Sequence, residues 1–257
     1  MVKSMLIHCQ NASFGYEGKR VIWDLSFTLE PGDYLLVLGE NGSGKSTFIL
    51  GILKLLNPME GSIVFCDELS RSKGGIGYLS QQSVLKKDFP AAVDEVVLSG
   101  NLNGMGLRPF YNAREKERAG EAMERLGIMD IRKKCYRELS GGQQRRVLLA
   151  RAFCAAQVDP LMRDMTGRLL ILDEPAAGLD PLISAELYEL LKTLNQETGI
   201  SIIMVSHDIR GAMQFANKIL HMEHGRGFFD STAAYLSSER GRKYFGHRDY
   251  STTGSIT

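Results

Sequence analysis

A glycine-rich loop between an apolar strand and a helix constrains this chain more than any other feature. Residues 34–38 are all apolar, which is typical of a buried strand, and residues 48–56 continue as an apolar helical segment. The loop between them matches the pattern G-x-x-x-x-G-K-[ST], whose backbone N–H groups and helix dipole bind a polyphosphate. The sequence therefore predicts a nucleotide site at Gly39, Asn41, Gly42, Ser43, Gly44, Lys45, Ser46 and Thr47.

Three side chains near this loop carry specific expectations. Lys45 is expected to reach the β- and γ-phosphates, and the hydroxyl of Ser46 is expected to ligate Mg²⁺. Tyr16 lies in the turn after the first predicted strand, where its ring could stack on an adenine or could cover the edge of the sheet. Spacing alone does not decide between these two roles for Tyr16.

Strand-like and helical segments alternate around the loop. We predict strands at residues 5–8, 21–29, 34–38, 61–65, 76–79, 169–172 and 201–205, and a mostly helical stretch from residue 91 to about 156. Asn112, Ser140 and Asp180 are suited to cap the N-termini of helices. This order predicts an α/β fold with a largely parallel sheet and a ligand at the carboxyl ends of its strands.

Two adjacent carboxylates end one of the buried strands. Asp173 and Glu174 follow the apolar run 169–172, where charge is costly unless a cation or a reacting group compensates it. We expect Asp173 to hold Mg²⁺, directly or through water, and Glu174 to polarise the attacking water as a general base. His207 follows the strand at 201–205. Alone it would be read as an ordinary hydrogen-bonded histidine, but beside these groups it is expected to contact the γ-phosphate and Glu174.

A second phosphate site is predicted at the start of another helix. Ser140 and Gln143 have the spacing of a capping box, which does not explain the two glycines between them, Gly141 and Gly142. Glycines in a first helical turn allow a ligand to approach the amides closely. One nucleotide cannot easily reach both sites within one chain, so we predict a head-to-tail homodimer in which Ser140 and Gly142 close over the phosphate held by Lys45 of the other copy.

Charge and composition exclude several classes of partner. The 257 residues contain 31 basic and 30 acidic side chains, a formal net charge of +1 that gives no general attraction to nucleic acid or anionic lipid. No apolar run approaches the ~18 residues that span a bilayer, so we expect a cytoplasmic protein. The four cysteines are far apart and are expected to be small buried hydrophobic residues rather than zinc ligands or disulfides: Cys9, Cys66, Cys135 and Cys154.

Together these motifs resemble those of the ATP-binding subunits of ABC transporters, over nearly the whole chain. In that pattern residues 39–47 are Walker A, 139–143 the signature and 169–174 Walker B. The resemblance implies that Gln81, rather than Gln82, is the Q-loop glutamine and a Mg²⁺ ligand, and that Asp180 belongs to the D-loop at 177–180. It also implies that His207 is the switch histidine and that Tyr16 stacks on adenine.

The same resemblance implies the architecture. We expect a P-loop NTPase core with a largely parallel sheet, an N-terminal antiparallel β-subdomain and an inserted helical subdomain at about residues 90–165. Residues 1–236 would form the ATP-binding domain, and residues 237–257 a polar and partly disordered tail. One departure is the segment 157–168, which is longer and more polar than the usual short turn and could be an extended surface loop.

Three segments indicate a subgroup. Residues 89–100, 107–110 and 175–181 resemble the ATPases of bacterial zinc and manganese importers. The resemblance implies ATP and Mg²⁺ as ligands, a homodimer in the ATP-bound state, and integral-membrane permease subunits that hold the protein at the cytoplasmic face of the membrane. An extracytoplasmic solute-binding protein would be an indirect partner.

Other functions fit the sequence less well. An iron-chelate importer is the nearest competitor, because the ATPase never touches the cargo. A non-transport ABC ATPase of DNA repair or translation would need long coiled-coil heptads, a second cassette or a basic surface, and none is present. A non-catalytic nucleotide-binding scaffold would be expected to lack Glu174 or His207, and both are here.

Overall fold

The computed structural model describes residues 5–71, 75–81, 89–158, 167–206 and 209–249. Its strands are β1 Ile7–Tyr16, β2 Lys19–Leu29, β3 Tyr34–Leu38, β4 Glu60–Phe65, β5 Ile76–Leu79, β6 Leu169–Asp173, β7 Ser201–Val205, β8 Lys218–Glu223 and β9 Arg226–Ser231. Its α-helices are α1 Lys45–Ile52, α2 Asp67–Arg71, α3 Val93–Leu98, α4 Leu102–Met105, α5 Ala113–Arg125, α6 Gly141–Ala155, α7 Pro181–Thr198, α8 Ile209–Met213, α9 Thr232–Ser237 and α10 Glu239–Asp249.

The strands form one sheet in the order β4-β1-β2-β9-β8-β3-β7-β6-β5. The five strands β8, β3, β7, β6 and β5 pair with one another in parallel, whereas β8 pairs with β9, and β1 with β2 and β4, in antiparallel fashion. The predicted α/β fold, with a largely parallel core and an N-terminal antiparallel part, is confirmed. Because β3, β6 and β7 are neighbours, the segments that follow them meet at one edge of the sheet.

The central strands are buried on both faces. In β3, Tyr34, Leu36 and Leu38 pack with α6 and α7 on one side, while Leu35 and Val37 pack with α1 and the N-terminal strands on the other. Successive side chains of a strand point to opposite faces, so a strand covered on both sides reads as a continuous apolar run. This explains why β3 and β7 have the bounds that the sequence predicts.

Helices α3 to α6 lie between β5 and β6 in the chain, as predicted. The N-terminus of α5 is capped by Asn112, whose side chain accepts a hydrogen bond from the backbone N–H of Glu115 at 2.8 Å. Glu115 is buried, and its carboxylate accepts from Arg108 Nη2 and from the backbone N–H of Asn112, both at 2.8 Å. A buried carboxylate is tolerated here because charged and backbone donors replace its lost water.

We expect Glu115→Gln to lower the free energy of unfolding by about 1–2 kcal/mol at neutral pH, because a hydrogen-bonded charge is lost. Burial alone would raise the pKa of Glu115, but the hydrogen bonds and charges of Arg108 and the amide of Asn112 outweigh it and lower the pKa. A lowered folded-state pKa gives stability that is present above the unfolded pKa of about 4.3 and is lost as pH falls through the folded value.

Urea denaturation at several pH values measures this effect. The difference between wild type and Glu115→Gln should shrink as the pH falls below about 4.3. Glu117→Gln, an exposed position on the same helix, serves as control and should change stability little. If the difference in unfolding free energy between wild type and Glu115→Gln does not depend on pH, this would contradict the pairing of an ionised Glu115 with Arg108.

The chain departs from the sequence predictions in several respects. The strand predicted at 5–8 extends to Tyr16, and β8 and β9 were not predicted at all. Within the polar tail predicted from residue 237, residues 239–249 form α10, whose Tyr244 and Phe245 pack against the core. Residues 250–257 lie outside the described residues, so the partly disordered end of the tail stays a prediction. Cys9 and Cys154 are buried as expected, but Cys66 and Cys135 are only partly buried.

Within the ranges listed above, no helix combines the length and the apolar composition needed to cross a membrane. The interpretation of residues 1–236 as one ATP-binding domain stays a prediction. Of the unusual segment 157–168, residues 159–166 lie outside the described residues.

Candidate phosphate-binding site

The loop between β3 and α1 has a backbone that requires glycine at two positions. Gly39 has φ 143°, and a Cβ built there would lie 2.3 Å from the carbonyl oxygen of Met222. Gly44 has φ 107° directly before α1, and its Cβ would lie 3.1 Å from Ile22. Side chains other than glycine are strained at such angles and would not fit here. The loop is therefore held tightly against β8 and β2.

Two polar groups of the loop are placed for a ligand. The Lys45 Nζ donates to the carbonyl oxygens of Gly39 and Glu40, each at 2.8 Å, so the ammonium folds back over the loop. The side chain of Ser43 is buried, and its Oγ has no hydrogen-bond partner among the residues that the structure describes. A buried hydroxyl without a partner is costly unless a ligand or water satisfies it, so this loop has the character of a binding site.

A cavity of about 190 Å³ joins this loop to the predicted catalytic residues. The predicted site residues that line this cavity are Asn41, Gly42, Gly44, Lys45, Ser46, Thr47, Gln81, Asp173 and Glu174. Val21 and Val205 complete the lining and were not predicted. Residues from five separate parts of the chain meet here. The strands β3, β7 and β6 are adjacent, Gln81 follows shortly after β5, the neighbour of β6, and Val21 lies in β2.

Tyr16 lies at the margin of this cavity rather than in its lining. It ends β1, its side chain is 46% exposed, and its hydroxyl donates to Thr47 Oγ1 at 3.4 Å. Since Thr47 lines the cavity, the exposed ring of Tyr16 stands beside the loop. This position is compatible with the adenine-stacking role that the sequence left open.

The two carboxylates differ in their surroundings. Asp173 is partly buried at the end of β6, whereas Glu174 is only 6% exposed and has φ 54°, the left-handed region that non-glycine residues rarely adopt. The backbone N–H of Glu174 donates to Val205 O at 2.9 Å. Strained backbone of this kind persists only where neighbours hold it, and it clusters at functional sites.

Arg145, which the sequence analysis did not identify, lies directly behind these carboxylates. Arg145 is a residue of α6, and its guanidinium donates to the backbone carbonyls of Asp173, Glu174, Pro175 and Ser80. Burial lowers the pKa of Arg145 from its ordinary value, although the charges of Asp173 and Glu174 oppose this shift. No spacing rule links an arginine to distant carbonyls, so no local pattern predicts the role of Arg145.

The second predicted phosphate site is not part of this cavity. Ser140 caps α6, with Ser140 Oγ accepting from Gln143 N at 3.3 Å and Gln143 Oε1 accepting from Ser140 N at 3.1 Å, which confirms the capping box. Ser140 and Gly141 are exposed, and a Cβ on Gly141 would meet nothing within 4 Å. Within a single chain, the space beside Gly141 at this helix start is therefore open.

Of two further predicted residues, Asp180 and His207, the structure describes only Asp180. Asp180 is exposed and caps α7, its Oδ1 accepting from Ile183 N at 3.0 Å, and it does not line the cavity. His207 lies outside the described residues, as does Gln82, so the structure does not test the switch role or the alternative glutamine.

Comparison with known proteins gives a consistent result. The family model described as ABC transporter matches residues 22–177. The zinc uptake system ATP-binding protein ZurA of Listeria innocua is 34% identical over 232 residues, which are 89% of this chain and 86% of the relative. The manganese transport system ATP-binding protein MntB of Bacillus subtilis is 31% identical over 243 residues, 94% of this chain and 93% of the relative.

Two solved structures have the same fold. A metal-chelate type ABC transporter in an inward-facing conformation has a TM-score of 0.79 and 27% identity, with 95% of this chain and 90% of that chain covered. A dimeric bacterial ABC transporter cassette has a TM-score of 0.70 and 26% identity, with 88% of this chain and 99% of that chain covered.

Proposed function

This chain belongs to the ABC transporter family as an ATP-hydrolysing subunit, and we propose that it drives uptake of Zn²⁺ or Mn²⁺ through a partner permease. The observation that supports ATP hydrolysis by this chain is the cavity in which the glycine-rich loop, Gln81, Asp173 and Glu174 meet. A phosphate loop binds the nucleotide, and a carboxylate in the same cavity supplies a base for attack by water. Binding and hydrolysis of ATP are thereby combined in one site.

ATP would be held mainly by the loop. Backbone N–H groups of residues 39–47 and the start of α1 would bind the phosphates. Lys45 would exchange the carbonyls of Gly39 and Glu40 for phosphate oxygens. The Ser43 hydroxyl, buried and without a partner in the described chain, would gain one from the same ligand. The exposed ring of Tyr16 would stack on the adenine.

The residues of the cavity also fit Mg²⁺. Ser46, Asp173 and Gln81 all line it, and Mg²⁺ prefers oxygen ligands such as the hydroxyl, carboxylate and amide oxygens that these side chains carry. When bound, the ion would offset the negative charge of the phosphates. Ser46 and Gln81 are exposed and reach the cavity from different segments, so they can adjust as the ligand binds.

Glu174 is proposed as the general base. Its carboxyl is buried beside the cavity, an environment that keeps bulk water from competing with the attacking water. Asp173 would hold Mg²⁺, and His207 would contact the γ-phosphate and Glu174. The role of His207 rests on the sequence alone.

We further propose that two copies of the chain share each nucleotide. The exposed N-terminus of α6, with Ser140, Gly141 and Gly142, would close over the phosphates bound to Lys45 of the partner copy. Asp180 caps the neighbouring helix and is exposed as well, so it would lie at the same interface. ATP between the two half-sites would join the copies, and hydrolysis would release them.

The permease would dock next to the Gln81 segment. Our candidate surface is residues 83–90 and the start of α3, of which the structure describes Phe89 and Pro90, both exposed. Docking here would hold the chain at the cytoplasmic face of the membrane, and closure of the dimer would move the permease without contact between cargo and ATP. An extracytoplasmic solute-binding protein would deliver the cargo.

The proposed cargo follows from the relatives, which act in zinc uptake and manganese transport. The test is uptake by liposomes that contain the ATPase, its native permease and its binding protein. We expect ATP to drive accumulation of Zn²⁺ or Mn²⁺ and not of an iron chelate. Uptake of the chelate alone would overturn the metal-ion cargo, and no uptake of any solute would contradict the importer function.

A further inference from the structure

The guanidinium of Arg145 joins three functional parts of the chain. Arg145 lies in the second turn of α6, whose N-terminus carries Ser140. Its Nη1 donates to Ser80 O at 2.9 Å, immediately before Gln81. Its Nη2 donates to the carbonyls of Asp173, at 2.9 Å, and Glu174, and its Nε donates to Pro175 O at 3.1 Å. All three nitrogens of one side chain therefore bind backbone that borders the cavity.

These bonds hold the peptide groups on both sides of the proposed base. The N–H of Glu174 donates to Val205 O at 2.9 Å, and its carbonyl accepts from Arg145 and from the backbone N–H of Ala177, the latter at 3.1 Å. With φ at 54°, Glu174 is in a left-handed conformation that is strained for a non-glycine residue. The orientation of its carboxylate thus depends on contacts that oppose relaxation to an ordinary backbone.

The same bonds connect the cavity to the distant helix start. Ser140 and Arg145 are five residues apart, which corresponds to about 7–8 Å along a rigid helix. A displacement of the helix N-terminus would consequently shift the guanidinium, and with it both Ser80 and the segment 173–175. A planar guanidinium can hold two segments at fixed relative positions, whereas an ammonium group acts as a single point.

We propose that Arg145 is a positioning residue that fixes Glu174 and Gln81 for hydrolysis and couples both to the N-terminus of α6. This inference rests on the proposed function, in which Glu174 is the general base and the N-terminus of α6 contacts the partner's nucleotide. Arg145 lies behind the carbonyls and not in the lining of the cavity, so it acts on turnover and leaves nucleotide binding intact.

The test uses the purified full chain and compares kcat, KM and the Kd for ATP. Arg145→Gln should lower kcat about 10²-fold, because small errors in the placement of a catalytic group have effects of that size, while KM and Kd change little. Arg146→Gln is the matched control. Arg146 is the next residue on α6, but its guanidinium contacts Leu126 O at 3.3 Å and Glu186 at 3.6 Å, away from the cavity.

Chemical rescue separates positioning from a merely structural role. Guanidinium chloride at a non-denaturing concentration should restore part of the kcat of Arg145→Ala, and the same concentration of KCl should not. Arg145→Lys should have an intermediate kcat, and it keeps the test available if Arg145→Gln or Arg145→Ala does not fold. A wild-type kcat in Arg145→Lys would overturn the proposal, since a point charge would then suffice.

The remaining outcomes are also decisive. A kcat in folded Arg145→Gln equal to wild type, an equal loss in Arg146→Gln, or a loss of ATP affinity that accounts for the whole effect would each overturn the positioning role while leaving the proposed function intact. Absence of ATP hydrolysis by the wild-type chain would instead overturn the proposed function, and the role of Arg145 with it.

Discussion

Glu174→Gln is expected to bind ATP normally and to hydrolyse it at least about 10²- to 10⁴-fold more slowly than wild type, because an amide cannot accept a proton from the attacking water. Lys45→Ala is expected to fail at the earlier step. The ammonium group of Lys45 is the positive charge that the loop presents to the phosphates, and without it ATP binding itself should be lost. Fluorescent-nucleotide titration and phosphate release measure the two steps separately.

Matched controls exist for both substitutions. Glu115→Gln also removes a buried carboxylate, but Glu115 lies in α5 and does not line the cavity, so turnover should be retained. Lys54→Ala removes a lysine whose Nζ likewise donates to a backbone carbonyl, that of Leu69, at 2.7 Å. Turnover like wild type in the Glu174→Gln protein would end the assignment of Glu174 as the base.

Ser140→Arg is expected to abolish hydrolysis although Ser140 does not line the cavity of its own chain. An arginine at this exposed helix start would occupy the space in which the partner's nucleotide should approach the amides of Gly141 and Gly142. ATP binding to the loop of the same chain should be unchanged, since that loop is intact. The same titration and phosphate-release assays distinguish the two effects.

Ser231→Arg provides the control for this substitution. Ser231 is also a helix-capping serine, whose Oγ accepts from Ala234 N at 3.2 Å, as Ser140 Oγ accepts from Gln143 N. Both variants lose a cap and gain a charge, with a cost of about 1 kcal/mol in stability. Equal activities of Ser140→Arg and Ser231→Arg would argue against any role of Ser140 at a shared site.

The sequence predicted the elements that carry strong local signals. The parallel strands β3 and β7 were predicted with their observed bounds because strands buried on both faces are short continuous apolar runs. By contrast, β8 mixes Lys218, His221 and Glu223 with apolar residues, and α10 is largely polar. Their placement depends on contacts between elements, such as the hydrogen bond between Tyr235 and His221 Nδ1 and the packing of the Tyr244 ring of α10 against His221, and such contacts have no local pattern.

The features of the candidate site also divide into those with a local sequence signal and those without one. The loop and the two carboxylates could be predicted because their residue types and their positions at strand ends are themselves the signal. Arg145 could not, because its four acceptors are backbone carbonyls that any residue would provide. The left-handed backbone of Glu174 was equally hidden, since it arises from the packing of β6, β7 and α6 rather than from the residue itself.

The molar mass of Glu174→Gln in solution tests most directly whether two copies enclose ATP between their half-sites. Because hydrolysis is blocked, ATP should hold the closed pair together, and light scattering should give twice the monomer mass of 28.5 kDa. With ADP, or with Lys45→Ala added to the same chain, the monomer mass should remain. A monomer under all conditions, in a sample where ATP binding is confirmed, would contradict the shared site.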